Sequence, residues 1–382
     1  MFELSKSQRQ IVKAAKDFAK GEFDKEMACE MEKNRKFPVE VWKKAAELGF
    51  IGIHYPEDQG GGGLGLLENV LITEELCRRD STMGYAISHA GFASECLALF
   101  ASDEIKEQVL PRIAEGELLS GAAFSETQQG TIPEKLQTSA IEQNNGWVIN
   151  GFKTCVINGG AAGYYIVLCQ TDPSADRPEK GRSLLLVEAG SPGITIEDCG
   201  KRMGGNMVNT ADLSFDNVKV PAINLIGKKG KGTDYLQRYF DDSRIMAAAQ
   251  AVGIAAGALD RTLEYTKGRI QFNRRIIDFQ VTRHKIAEMA TQIELSRMMT
   301  YRAAWIRDKG KPDHKLSSMA KLTAAQAAVN AGTHAIQLFG GYGFMTEYEV
   351  ERFYRDARMI ANSSGNDHIQ KDIIAAGVIG KK

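Results

Sequence analysis

The stretch Gln337–Gln370, QLFGGYGFMTEYEVERFYRDARMIANSSGNDHIQ, decides the reading of this chain. A helical pattern runs into Gly340-Gly341-Tyr342-Gly343, and another follows over Tyr348–Met359. Glycine carries no Cβ, so such a cluster either admits close backbone approach to a bound molecule or simply ends the preceding helix. Taken alone, the glycines do not separate these uses. Their flanks are more specific: Gln337-Leu338-Phe339 stands before them and Thr346 to Arg352 after them. The tail then runs through Tyr354–Ala357 and Ser364-Gly365-Asn366 to Ile369-Gln370.

Upstream, long helical periods cover Tyr235–Arg269, Phe279–Lys309 and Lys315–Phe339. Between about 121 and 227 the period changes. Tyr164–Cys169, Ser183–Val187, Ile194–Glu197 and Ala211–Val220 are short β-branched runs divided by Gly, Pro, Asn and Asp, and Trp147–Gly151 enters a turn. The first 118 residues read as helices. Ser5–Phe23 carries an apolar stripe at Ile11, Val12, Ala15, Phe18 and Ala19, and Pro38 opens a helix ending at Leu48-Gly49. A glycine-punctuated loop spans 55–65, followed by helices over Leu66–Arg79, Thr82–Ala101 and Glu104–Glu115. The expected class is α+β: an N-terminal helical domain over 1–118, a central β domain over 119–228 and a C-terminal helical domain over 229–382.

At 382 residues the chain can bury a large core in two or three layers or domains. Its 48 basic residues balance 48 acidic ones, so nothing advertises nucleic acid or an anionic membrane as a partner. The short lysine run Lys228–Lys231 reads as a solvated loop. No apolar run reaches the roughly 18 residues of a membrane span. The N-terminus has charges within a helical period and no apolar core, so no signal peptide is expected. Cys29, Cys77, Cys96, Cys155, Cys169 and Cys199 are scattered without metal-ligand spacing, and read as reduced thiols of a cytoplasmic protein with no metal site.

The stretch Gln337–Gln370 resembles the C-terminal segment of the acyl-CoA dehydrogenases, and the resemblance covers essentially the whole chain. It implies that family's fold, FAD as cofactor, a CoA thioester as substrate, an electron-transfer flavoprotein as redox partner, and a homotetramer built as a dimer of dimers. In the family, the positions matched by Gln337, Gly340 and Gly341 approach the ADP moiety of FAD, and Asn366 lies on the cofactor side of the tail. Arg269, Phe272 and Gln280, in GRIQFNRRIIDFQ, resemble a second FAD motif that reaches the cofactor of a neighbouring subunit. A planar guanidinium suits a pyrophosphate. Asn273 stands where that motif has glycine, a mild departure because asparagine tolerates positive φ. In the β domain, Phe124, Ser125 and Thr131 fall in a motif contacting the flavin and a phosphate or pantetheine oxygen. Cys155 and Ile157 replace the family's flavin-packing tryptophan and a threonine near the flavin's reactive nitrogen.

The proton-abstracting group is where the chain departs most. A CoA thioester gives up its α-proton only to a base within hydrogen-bond reach. Family members carry a glutamate at one of two positions, matched here by Ser364 and Ser243. A serine hydroxyl is no base without a partner to deprotonate it. His89, spaced with Tyr85 and Phe92 along one face of Thr82–Ala101, is the candidate replacement, a hydrogen-bonded core histidine being the bland reading. The family aligns Tyr85, Ser88 and Phe92 with the acyl-pocket wall. The run Asp241-Asp242 resembles an acidic residue near bound CoA, with Asp241 the candidate, or else is a helix N-terminal charge, and Arg244 is implied near the active site or CoA. Glu95, almost two turns beyond His89, could close the pocket, a surface or intersubunit salt bridge being the expectation, and Glu95, Asp367 and His368 are the further alternatives for the base. The implied activity is dehydrogenation of a cyclic or otherwise unusual acyl-CoA, 1,4 rather than 1,2. Enoyl-CoA reduction, a flavin monooxygenase of the same fold and a non-catalytic homologue are the alternatives.

Overall fold

A computed structural model describes residues 3–127 and 136–380. Seven helices come first: α1 (Lys6–Glu22), α2 (Lys25–Asn34), α3 (Val39–Glu47), α4 (Leu66–Arg79), α5 (Ser81–Ser88), α6 (Glu95–Phe100) and α7 (Asp103–Ala114). A capping box opens α1: Ser5 accepts the Gln8 N–H, and the Gln8 side chain accepts that of Ser5. The helix expected over Thr82–Ala101 is broken into α5 and α6. Its carbonyls are claimed from outside: Asn158 Nδ2 donates to His89 O at 2.7 Å, Ser120 N–H to Ala90 O at 2.9 Å and Ser120 Oγ to Phe92 O at 2.7 Å. These bonds replace the next helical turn, and Ala93 takes a left-handed φ of 66°.

Eight strands follow: β1 (Ser120–Ala123), β2 (Ser139–Gln143), β3 (Gly146–Ile157), β4 (Tyr164–Gln170), β5 (Arg182–Glu188), β6 (Ile194–Asp198), β7 (Thr210–Pro221) and β8 (Leu225–Ile226). They form one sheet in the order β6-β7-β3-β1-β4-β5-β8, with β2 beside β3 and β4. Trp147–Gly151 does not enter a turn; it lies inside β3. Asn150-Gly151 marks a register shift against β7, and Gly151 at φ 147° is the residue that permits it. A second shift falls between Lys153 and Val156.

The chain then returns to helices: α8 (Gly232–Gly268), α9 (Gln280–Asp308), α10 (His314–Phe339), α11 (Val350–Asn362) and α12 (Asp367–Ile379). A short hairpin, β9 (Ile270–Gln271) and β10 (Arg274–Arg275), links α8 to α9. Helix α8 lies nearly backbone to backbone on α4. A Cβ at Gly253 would meet Glu74 O at 2.4 Å, and one at Gly257 would meet Arg78 O at 2.3 Å. One apolar core runs through both sets of helices and reaches the sheet at Ala122, Phe124 and Ile166. A second core, including Trp147, Val167, Leu213 and Phe215, packs the other side of the sheet. No described helix is long and apolar enough to cross a membrane.

Candidate active site

A cavity of about 580 Å³ opens where the sheet meets α5, α8 and the end of α11. Its size and its mix of aromatic and polar walls suit a small-molecule site. The sheet contributes Phe124, Ser125, Cys155 and Ile157; α5 and the turn after it contribute Tyr85, Ser88, His89 and Phe92. Ser243 comes from α8, and Ser364 from the turn between α11 and α12. Thr131 lies outside the described residues.

Ser243 and Ser364 are 121 residues apart in sequence, yet their hydroxyl oxygens meet at 2.7 Å. The turn carrying Ser364 is tightly held. Ser364 adopts φ 53°, and Lys321 Nζ donates to Ala361 O at 2.6 Å and to Gly365 O at 2.8 Å. Gln370 Nε2 adds bonds to Ser364 O at 3.0 Å and Gly365 O at 2.9 Å. Burial pushes the Lys321 ammonium down to about 8. Asn366 caps α12, accepting from His368 and Ile369 N–H, and does not line the cavity. Asp367 and His368 do not line it either.

His89 is buried between two rings, with centroids 4.0 Å from Tyr85 and 5.3 Å from Phe92. Nδ1 lies 3.0 Å from Tyr85 O and 3.1 Å from Gln250 Nε2. The Tyr85 carbonyl only accepts and the Gln250 amide nitrogen only donates, so Nδ1 serves one of them: as N–H it bonds Tyr85 O and leaves Nε2 with its lone pair, while Gln250 Nε2 bonds Ser88 Oγ at 2.8 Å instead. Burial pulls the imidazole down to about 4, outweighing the Tyr85 carbonyl bond. His89 is therefore neutral at pH 7.

Tyr239, Arg202 and the His54 partner of Glu95 escaped the sequence. Glu95, expected in a surface or intersubunit salt bridge with the pocket as the alternative, lines the cavity and faces His54, Oε1 to Nε2 at 3.3 Å, with side chains only 16% and 7% exposed. The two are 41 positions apart, so no local pattern joins them. Tyr239, one helical turn before Ser243 and hydrogen-bonded to it, was legible from i,i+4 spacing. Arg202 also lines the cavity, its guanidinium fixed to Gly205 O at 2.6 Å, and makes no ion pair among the described residues.

Asp241 and Arg244 are not on the cavity wall. Asp241 is buried well inside α8, which begins at Gly232, so a helix N-terminal charge is also excluded. It binds Arg244 at 3.2 Å, Ser317 Oγ at 3.1 Å and His314 Nδ1 at 2.6 Å. Its neighbour Asp242 does line the cavity, clamped by Arg238 at 2.8 Å and Arg307 at 2.7 Å.

Arg269, Phe272, Gln280, Gln337, Gly340 and Gly341 lie off the cavity, but their two motifs adjoin. The Arg269 guanidinium is 5.4 Å from the Tyr342 ring centre, and Tyr265 stacks on Phe339 at 4.0 Å. Among the described residues Arg269 makes no ion pair, Phe272 is 88% exposed, and a Cβ at Gly340 or Gly341 would meet nothing within 4 Å. A free guanidinium, an uncovered ring and open backbone fit the nucleotide end of a flavin dinucleotide.

Residues 5–117, 121–218 and 230–379 match the N-terminal, middle and C-terminal domains of acyl-CoA dehydrogenases. The chain is 37% identical over 380 residues to acryloyl-CoA reductase (NADH) of Anaerotignum propionicum, covering 99% of this chain and 96% of that protein. Butyryl-CoA dehydrogenase from Megasphaera elsdenii superposes with a TM-score of 0.95 at 32% identity, each chain covered at 100%. A chain from a structural study of the electron transferring flavoprotein of Acidaminococcus fermentans superposes with a TM-score of 0.96 at 34% identity, again at 100% of both. With all three domains matched in order and the cavity formed where they meet, the chain belongs to the acyl-CoA dehydrogenase family.

Proposed function

We propose that this chain, an FAD-dependent oxidoreductase of the CH–CH bond in CoA thioesters, acts on an unusual acyl group and exchanges the proton at a non-standard position. The acyl group we assign is alicyclic, and the reaction a 1,4-dehydrogenation. The observation that carries this reading is the 2.7 Å contact between Ser243 and Ser364. The two positions where the family resemblance implies a glutamate converge on one point, and both hold hydroxyls already bonded to each other. Neither takes a proton from carbon near neutral pH.

Other groups on the wall can. His89 is neutral at pH 7 and presents a lone pair, and Glu95 brings a carboxyl group to the same cavity. Asp242 is held by two arginines. We assign the proton acceptor to the His89–Glu95 wall, which stands on different elements from Ser364. An imidazole of such low basicity needs an acidified proton, and a ring hydrogen conjugated to the thioester provides one. Tyr85, Phe92 and Tyr239 would pack the ring. FAD, when bound, supplies the hydride acceptor, with Phe124, Ser125, Cys155 and Ile157 at its ring system and Arg269, Phe272, Gln280, Gln337, Gly340 and Gly341 of a second copy at its adenine end. That division supports a homotetramer, and we take an electron-transfer flavoprotein as the redox partner. A cytoplasmic setting suits the six free cysteines.

Anaerobic titration of the purified yellow protein with a CoA-thioester panel tests the reading. Cyclohex-1-ene-1-carboxyl-CoA, whose ring hydrogens are conjugated to the thioester, should bleach the flavin, and butyryl-CoA should not. Rapid bleaching by butyryl-CoA alone would refute it.

Enoyl-CoA reduction is the second reading, favoured by the hydroxyl chain Tyr239–Ser243–Ser364. Hydroxyls that cannot take a proton from carbon can still give one to an enolate. Fast reoxidation of the pre-reduced protein by an enoyl-CoA, slowed in Ser243→Ala, would establish this direction.

A further inference from the structure

We propose that Cys155, Cys199 and Asp212 form a binding site for one thiophilic divalent cation of the zinc type, on the sheet-side rim of the cavity. The three come from three adjacent strands. Asp212 lies on β7, Cys155 sits in the β3 irregularity between Lys153 and Val156, and Cys199 directly follows β6 on the other side of β7. Their thiol and carboxylate ligand atoms all lie within 4.8 Å of one another. Cys199 Sγ is 3.2 Å from Asp212 Oδ1. Tetrahedral zinc, with bonds of about 2.3 Å to sulfur and about 2.0 Å to oxygen, holds such atoms roughly 3.5 Å apart.

The carboxylate is already aimed. Thr154 Oγ1 donates to Asp212 Oδ1 at 2.7 Å and the Cys155 N–H at 2.9 Å. Bonds of this kind around a ligand fix its orientation. The Cys199 thiol donates to Asp212 Oδ1, so a proton sits between sulfur and oxygen where a cation would replace it. Both thiols are exposed and free.

Cys155 and Cys199 approach Asp212 from opposite sides of β7, so the carboxylate lies between the two cysteines. Three protein ligands leave one position for water or a cavity ligand. Cys155 and Thr154 also line the cavity, so occupancy would tie the end of β6 to the flavin-facing bulge of β3.

The test uses FAD-loaded protein treated with chelator and then with Co²⁺ alone. The expected result is about one bound cobalt per chain by elemental analysis, with tetrahedral cobalt–thiolate bands to the red of the flavin absorption. Cobalt should also protect two thiols from a thiol reagent. Cys199→Ser and Asp212→Asn, both conservative, should each lose the bands while keeping FAD and the native melting temperature. Absence of the bands at saturating cobalt, or their persistence in Cys199→Ser, overturns the site. So does oxidation of the pair to a disulfide by mild oxidant without metal uptake.

Discussion

Replacing Ser364 by glutamate would put a carboxylate where the family resemblance implies one. The backbone there already adopts φ 53° with a Cβ present, so glutamate adds no new left-handed strain. Lys321 and Gln370 bind only main-chain oxygens of the turn, so the mutation leaves its anchoring intact. What is lost is the hydroxyl's bonding to Ser243, to its Oγ at 2.7 Å and more weakly to its carbonyl oxygen at 3.4 Å, worth about 1 kcal/mol. Partial burial of a carboxylate adds a further cost, and a loss of about 2 kcal/mol would lower the melting temperature by a few degrees. General-base assistance is worth roughly 10²–10⁴-fold. The stopped-flow rate of anaerobic flavin bleaching by butyryl-CoA should therefore rise by at least about a hundredfold over wild type. Ser364→Gln, similar in shape but unable to take the proton, should show no gain. A folded, FAD-loaded Ser364→Glu protein no faster than the glutamine variant would refute the reasoning, as would a wild type already fast on butyryl-CoA.

Three further outcomes follow from the same geometry. Arg269→Ala should weaken FAD retention on gel filtration and shift the oligomer toward smaller species, since this guanidinium makes no ion pair within its own described chain. His89 is held near pKa 4 when folded against about 6.5 unfolded, so the unfolded chain binds the extra proton between those values. Stability should rise with pH across that window, by up to about 3 kcal/mol in urea titrations, and His89→Gln should flatten the slope. Lys321, lowered to about 8 in the fold, also makes stability rise with pH, here from about 8 to 10.5, and Lys321→Met should abolish that rise while loosening the Ser364 turn.

The three-part architecture was legible because long helices and short β-branched strands differ in period, and the motif around Gly340 carried the family. Breaks imposed by distant partners were not legible. Thr82–Ala101 has continuous helical periodicity, yet Asn158 and Ser120 take the carbonyls after α5 and divide it. Asn150-Gly151 has turn chemistry but serves as a bulge, because β7 pairs on both sides of it. Within the site, Tyr85, His89 and Phe92 were readable from one helix face, and Ser88 and Ser243 from the family resemblance; all five reach the cavity. The pairing of Glu95 with His54 and the Cys155–Cys199–Asp212 cluster needed contacts across 13 to 57 positions, which no spacing reveals. Asp241 and Arg244 were misplaced for a different reason. Alternate faces of α8 look alike in charge, and the run Asp241-Asp242 sends one carboxylate to a buried pair and the other to the cavity.

The manner in which Ser364 is held bears on whether this is a catalyst or a vestige. Lys321 is fully buried, and lowering its pKa from 10.5 to about 8 corresponds to roughly 3 kcal/mol against the charged form at neutral pH. Its two bonds secure only main-chain oxygens of the turn that presents Ser364. Gln370, also fully buried, binds the same turn. A site that had merely lost its glutamate would gain nothing from a buried cation anchoring an idle loop, and a methionine there would be less costly. The fold instead spends stability to keep Ser364 against Ser243, beside Tyr239 and facing the cavity. A position held so firmly, but with a hydroxyl in place of a carboxylate, is consistent with our proposal, in which hydrogen bonding at that point matters and the proton is taken elsewhere on the wall.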